Sequence, residues 1–256
     1  MSFLRNILLT AALVGVIAGL ATSALQAVGT TPLILLAENY ENAGAEAHPA
    51  ADSLASASPS QAPSLAGQGH DHNHAAASAH EHDEDAWAPA DGFERNAYTV
   101  AANVLTTIGY ALVLTGLIAL RGVSGGWREG LFWGLAAFAA VMLAPMIGLP
   151  PELPGSPAGD LGARQLWWVA TVAATGCGIA LLFFRRGEPW AVVLAVLLIA
   201  APHIVGAPLP PAGEHALAPL PLERRFVVVA TLTSFVTWLI VGSLSGLLLK
   251  RFETVR

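Results

Sequence analysis

The stretch ILLTAALVGVIAGLATSALQAV, residues 7–28, decides the fold of this chain. It holds 22 residues without a charge, and an α-helix of that length rises about 33 Å, enough to cross a hydrocarbon core of about 30 Å. Arg5 precedes it, and the apolar patch 32–37 follows. Because the run exceeds the apolar part of a usual signal peptide, it predicts an uncleaved membrane span, with a removed signal peptide as the alternative.

Five further apolar runs follow, at residues 97–120, 131–149, 166–184, 190–207 and 226–249. The hydrophobic fraction is 54% and the charged fraction 12%, about half the charge of a soluble domain. The sequence therefore predicts an all-α integral membrane protein, a bundle of five to six transmembrane helices. Its predicted parts are a first span with an outer apolar segment (1–36), a disordered His/acid-rich extracytoplasmic loop (37–96) and a five-span bundle (97–256).

Positive charges lie in alternate connections between the apolar runs, which predicts the orientation of the chain. Those expected on the cytoplasmic side are Arg5, Arg121, Arg128, Arg185, Arg186, Lys250, Arg251 and Arg256. Arg224 and Arg225, before the last run, depart from the pattern. We therefore expect a multi-pass protein of a bacterial inner membrane, with both termini in the cytoplasm and the 37–96 loop outside.

Small and polar residues inside the runs predict how the helices pack. Glycines recur four residues apart, as Gly15 with Gly19, Gly126 with Gly130 and Gly134, and Gly242 with Gly246. This spacing allows helix backbones to approach closely in lipid. Gln26 and Asn103 are amides inside spans, and we expect them to form interhelical hydrogen bonds rather than to bind metal.

The segment GQGHDHNHAAASAHEHDEDAW, residues 67–87, contains five of the eight histidines. The candidate ligands are His70, His72, His74, His80, His82, Asp71, Glu81 and Asp83. Imidazole together with carboxylate suits a divalent transition metal, whereas magnesium prefers oxygen alone. No single tetrahedral spacing stands out, so the segment is predicted to be a flexible chelator of low selectivity. The alternative is a low-complexity loop that binds metal only incidentally.

Two proline-rich connections and the end of the first apolar region carry further candidate ligands on the same side. These are His203, His215, Glu38, Glu41 and Glu152. Proline stiffens the connections and removes backbone donors, which is compatible with a folded outer vestibule or with two rigid surface loops. His203 follows Pro202 at the end of an apolar run, where an ionisable group usually faces a cavity. It is predicted to be a ligand at a pore mouth or a histidine that reaches interfacial water.

Several segments together resemble a known family. They are Gln26, Pro32 and AENYE (37–41), PPELPG (150–155), RQLWW (164–168), and PH (202–203) with GAP (206–208). The chain resembles the CbtA family of predicted cobalt transporter subunits over nearly its whole length, except the 43–91 loop. The resemblance implies cobalt uptake for cobalamin synthesis with a small single-span partner of the CbtB type. Cobalt would be the substrate, although nickel and zinc suit the same ligands. An oligomer is compatible with this reading, and no organic cofactor is expected.

Other classes of function lack their motifs. Lys250 is the single lysine and is followed by Arg251, so the chain has no GxxxxGK[ST] phosphate loop. HEHDE (80–84) is not the HExxH zinc-protease motif, and GSLSG (242–246) is not the GxSxG serine elbow. Eleven of the eighteen acidic residues lie between Glu38 and Glu94, and this balance disfavours a nucleic-acid partner. The remaining alternative to a permease is a membrane-anchored metal-binding or sensing subunit without a conduction path.

Overall fold

A computed structural model describes residues 2–55, 89–122 and 126–254 of the protein, and within them every regular element is helical. The helices are α1 (Ser2–Val28), α2 (Thr30–Ala55), α3 (Phe93–Arg121), α4 (Trp127–Met146), α5 (Leu161–Phe184), α6 (Pro189–Val205) and α7 (Leu220–Thr254). Five of them, α1, α3, α4, α5 and α7, are long and apolar enough to cross a membrane. The predicted all-α membrane bundle is confirmed.

The two ends of the bundle differ in chemistry. At one end Asn6 donates its side-chain N–H to the carbonyl of Phe252 at 3.3 Å, so the start of α1 lies beside the end of α7. We call this the basic end, because Arg121, Arg185, Arg186 and Lys250 also stand at helix ends there. At the opposite, loop end, the connections 147–160 and 206–219 meet, where Leu217 N–H donates to Gly155 O at 3.2 Å.

Helix α6 is the shortest of the apolar helices, with 17 residues, the lower limit for a span. It begins at Pro189, just beyond Arg186 of the basic end, and finishes at the loop end. There the indole N–H of Trp167 donates to the carbonyl of Pro202 at 3.0 Å. Helix α6 thus runs alongside α5 from the basic end to the loop end, in addition to the five helices long enough to span, and a sixth span stays a prediction of the charge pattern.

Helix α1 packs against both α3 and α7 and forms one wall of the core. Its Ala11, Val14 and Ala18 are at most 1% exposed. Where α1 meets α3, a Cβ added at Gly19 would lie 2.5 Å from the Cα of Val104. Two nonbonded carbon atoms do not come this close, so no side chain fits there. The glycine spacing therefore acts as predicted, since it brings two backbones into contact.

Polar side chains join the same helices inside the bundle. Asn103 of α3 donates to Oε1 of Gln26 at 2.6 Å and to Oγ of Ser23 at 3.0 Å. The hydroxyls of Thr22 and Thr237 lie 2.8 Å apart, and this contact links α1 to α7. The predicted interhelical hydrogen bonds of Gln26 and Asn103 are confirmed.

The structure corrects the predicted limits of the disordered loop. Residues 37–55 belong to α2 and residues 93–96 to α3, although both stretches were assigned to a loop at 37–96. Alanine and glutamate recur in 37–55, and both favour helix once a preceding helical turn supplies the nucleus. The histidine segment at 67–87 lies outside the described residues.

Candidate functional site

The loop end is held together by an apolar cluster shared by four segments. Its buried members are Leu33 and Ala37 of α2, Leu153 and Ala218 of the two connections, and Leu222 and Phe226 of α7. The apolar patch that follows the first span therefore lies over the start of α7. This packing holds the first part of α2 against the start of α7, and α2 continues from there to Ala55.

The two proline-rich connections form one folded layer. Besides the backbone hydrogen bond between Leu217 and Gly155, a Cβ added at Gly159 would lie 2.8 Å from the carbonyl oxygen of Leu209. Leu153 is only 4% exposed. Of the two interpretations of these connections, separate rigid surface loops and a folded outer layer, these contacts support the folded layer.

Two of the candidate ligands form ion pairs with arginines. Glu152 accepts from Arg164 at 2.6 Å, across the turn that leads into α5. The carboxylate of Glu38 in α2 accepts two hydrogen bonds from the guanidinium of Arg95 in α3, which also contacts Asp91 at 3.4 Å. A metal ion at either carboxylate would compete with a positive charge that is already present.

The Glu38–Arg95 pair gives a first prediction. Glu38→Gln and Arg95→Gln should each lower the free energy of unfolding by about 1 kcal/mol or less, since both side chains are partly exposed, 28% and 37%. The double variant should lose no more than the larger single loss, because the two residues act as a pair. Chemical unfolding of the purified protein in detergent measures this. Strictly additive losses would contradict the pairing.

His203 stands at the loop end of an apolar groove between α4, α5 and α6. Its ring lies edge-on to the Trp167 ring, with 6.0 Å between centroids. The groove has a volume of about 730 Å³, and His203 and Thr175 are the polar side chains in its lining. The groove thus offers His203 no second imidazole or carboxylate, so the lining by itself does not complete a metal site.

One wall of this groove contains an irregular turn of α4. Residues Ala139–Leu143 form a π-helical turn that ends two residues before Pro145. Proline lacks a backbone donor and its ring crowds the carbonyl four residues earlier, so the wider turn relieves that crowding. The groove is therefore shaped by the proline as well as by α6.

The other two candidate ligands of the loop end lie apart from His203. Glu41 stands beside the Gly155 turn, where its Cβ is 3.5 Å from the position of an added glycine Cβ. His215 is exposed, two residues after Gly213. In the described parts of the chain, no three His, Cys, Asp or Glu residues come together as a group that could hold a metal ion. The ligand roles of Glu38, Glu41, Glu152, His203 and His215 stay predictions.

The eight candidate ligands of the histidine segment all lie outside the described residues. They are His70, His72, His74, His80, His82, Asp71, Glu81 and Asp83. The residues that sequence reasoning missed are the arginine partners. Arg95 carried one local signal, its four-residue spacing from Asp91, which stands just before α3 begins.

A set of apolar helices with glycine-mediated contacts, a basic end and a folded loop end defines a multi-pass α-helical membrane protein. The model of the CbtA family, described as a probable cobalt transporter subunit, matches residues 4–250. The chain belongs to this family, as its loop segments predicted. No curated protein and no solved structure matches the chain significantly.

Proposed function

We propose that this chain is a permease subunit that takes up a divalent transition metal, with cobalt for cobalamin synthesis as its main substrate. The observation that carries the proposal is the match to a probable cobalt transporter subunit over residues 4–250. The match covers both the loop end and the basic end. No organic cofactor is part of the proposal.

The proposed orientation places the basic end in the cytoplasm. Asn6 and Phe252 share that end, so both termini face the same side. Lysine and arginine next to membrane spans are retained in the cytoplasm. Lys250 stands at the basic end, as do the arginines of the two connections there, Arg121, Arg128, Arg185 and Arg186. We assign the protein to the inner membrane of a bacterium, with the loop end outside.

The proposed role of the 67–87 segment is to collect scarce ions at the outer surface. Helices α2 and α3 lead into and out of this part of the chain, and the Glu38–Arg95 pair joins them at the loop end. Any metal held by the segment would thus be tethered near the folded layer. Tethering raises the effective concentration of an ion at that surface without another binding site.

Uptake through such a subunit needs no nucleotide hydrolysis in this chain. Each positive charge that moves inward gains about 2.3 kcal/mol per 100 mV of membrane potential. A divalent ion therefore gains roughly 4.6 kcal/mol, equivalent to more than a thousandfold in concentration. The membrane potential alone supports accumulation.

The second candidate function is a membrane-anchored metal-binding or sensing subunit that serves a separate channel. In the part of the chain that the structure describes, no three ligand side chains form a group that could hold a metal ion, and this favours the second function. The family description as a subunit implies a further component. We propose a small single-span membrane protein of the CbtB type in that role.

Metal uptake by purified protein in sealed vesicles separates the two functions. We expect the chain, reconstituted with its single-span partner, to accumulate cobalt when the interior is made negative, and to prefer cobalt to nickel and zinc. The chain and the partner are each tested alone as well. Transport by the partner alone, with no increase when this chain is added, would support the anchored binding subunit.

His203 is the residue of the groove whose loss we expect to lower transport at every metal concentration. His203→Ala should reduce the maximal rate of cobalt uptake by about tenfold or more, the loss typical of a disturbed metal site. The control is Val205→Ala, two positions further on, with an 81% exposed side chain outside the groove lining. Normal uptake by the His203 variant would make this histidine a packing partner of Trp167.

A further inference from the structure

An arginine cluster at the basic end gathers positive charges around one aromatic ring. The guanidinium carbon of Arg121, at the end of α3, lies 4.7 Å from the Phe183 ring centroid and 5.4 Å from that of Phe184. The guanidinium of Arg186 lies 4.5 Å from the same Phe183 centroid. Two positive charges thus share one aromatic ring, and Arg185 adds a third at the adjacent position.

The carboxylates near this cluster do not balance its charge. Oε1 of Glu129 lies 3.4 Å from Nη1 of Arg121. This long contact occupies one of the five N–H donors of the Arg121 guanidinium. Glu188 follows two residues after Arg186, but it forms no ion pair with Arg185 or Arg186 among the residues described. Neighbouring like charges repel each other more strongly beside the hydrocarbon core than in water. An anion bound between them would remove that cost.

The space beside the cluster suits hydrocarbon chains. Helices α3 and α5 share no close backbone contact along their length, and the Arg121 contacts connect them at the basic end. The side chains of Leu117 and Leu120 on α3 are 45% and 81% exposed, and that of Phe184 is 54% exposed. The surface of the two helices beside the cluster is therefore apolar, with the arginines at its end.

We propose that Arg121, Arg185 and Arg186 bind the phosphate of an anionic phospholipid whose acyl chains lie between α3 and α5. The planar guanidinium presents several N–H donors in a fork that matches phosphate oxygens, and stacking on Phe183 and Phe184 holds that fork in place. Basic pockets between helices at a membrane surface bind anionic headgroups by this chemistry. The site lies at the opposite end of the bundle from the candidate ligands of the loop end, so it does not depend on the proposed transport function.

Lipid retention by the full chain in detergent tests this proposal. The purified protein is mixed with equal amounts of phosphatidylglycerol and phosphatidylcholine, and its bound lipids are measured by native mass spectrometry. We expect clear preference for phosphatidylglycerol, and Arg121→Gln with Arg186→Gln should lower its affinity by roughly 30-fold. The matched control is Arg224→Gln with Arg225→Gln, two arginines near the start of α7 at the loop end, which should leave the preference intact.

Further arms keep the result interpretable. Arg186→Gln alone changes an exposed residue and tests the site if the double variant does not fold. Inorganic phosphate at tens of millimolar should not displace the lipid, because it lacks acyl chains. Equal retention of the two lipids, an unchanged preference in the folded double or single variant, or full displacement by phosphate would overturn the proposal.

Discussion

Gly242→Leu is expected to leave almost no folded protein in the membrane. A Cβ added at Gly242 would lie 2.6 Å from the Cα and 2.8 Å from the N of Gly134, both backbone atoms of α4. A backbone cannot move aside as a side chain can, so α4 and α7 must separate along the whole contact. Gly246 meets Gly130 in the same way, with 2.8 Å from an added Cβ to the Gly130 Cα. The loss should exceed about 4 kcal/mol, the range of severe substitutions.

A matched control comes from glycines that face open space. Apart from the neighbouring backbone of α3 itself, no atom lies within 4 Å of a Cβ added at Gly116, in the C-terminal part of α3. Gly116→Leu should therefore be tolerated or raise the helix stability by up to about 1 kcal/mol, because glycine is a poor helix former. The amount of monodisperse protein after solubilisation and its thermal unfolding measure both variants. If Gly242→Leu matches Gly116→Leu in yield and stability, the α4–α7 contact is not close.

Deletion of residues 67–85 is expected to raise the half-saturating cobalt concentration of uptake by about tenfold, with little change in the maximal rate. The physical reason is the loss of tethered ligands, which lowers the local metal concentration but leaves the helical bundle unchanged. Uptake is measured in cells over a range of cobalt concentrations from scarce to abundant. Abundant metal should restore the rate.

A second variant separates the effect of metal binding from the effect of chain length. Substitution of all five histidines, His70, His72, His74, His80 and His82, by asparagine keeps the chain length and should have the same effect as the deletion. Loss of uptake at every concentration in both variants would show that the segment belongs to the transport path. A loss in the deletion alone would show that chain length, rather than metal binding, matters.

The loop end shows how far sequence reasoning reached. The segments around Gln26, PPELPG and RQLWW identified the family, and the amides Gln26 and Asn103 were predicted to bond between helices. The arginine partners of Glu38 and Glu152 were not predicted. Glu38 and Arg95 are 57 residues apart, and their meeting depends on how α2 packs against α7.

The sequence by itself determined the helical class and the multi-pass membrane character. These follow from local properties, because a bilayer requires about twenty apolar residues per span. The tertiary structure alone decided that α2 covers the start of α7, that Glu38 and Glu152 are paired, and that His203 faces an apolar groove. Each depends on contacts between helices that are distant in sequence. An apolar run looks alike whether it faces lipid or another helix, so it carries no local signal of which helix packs against it.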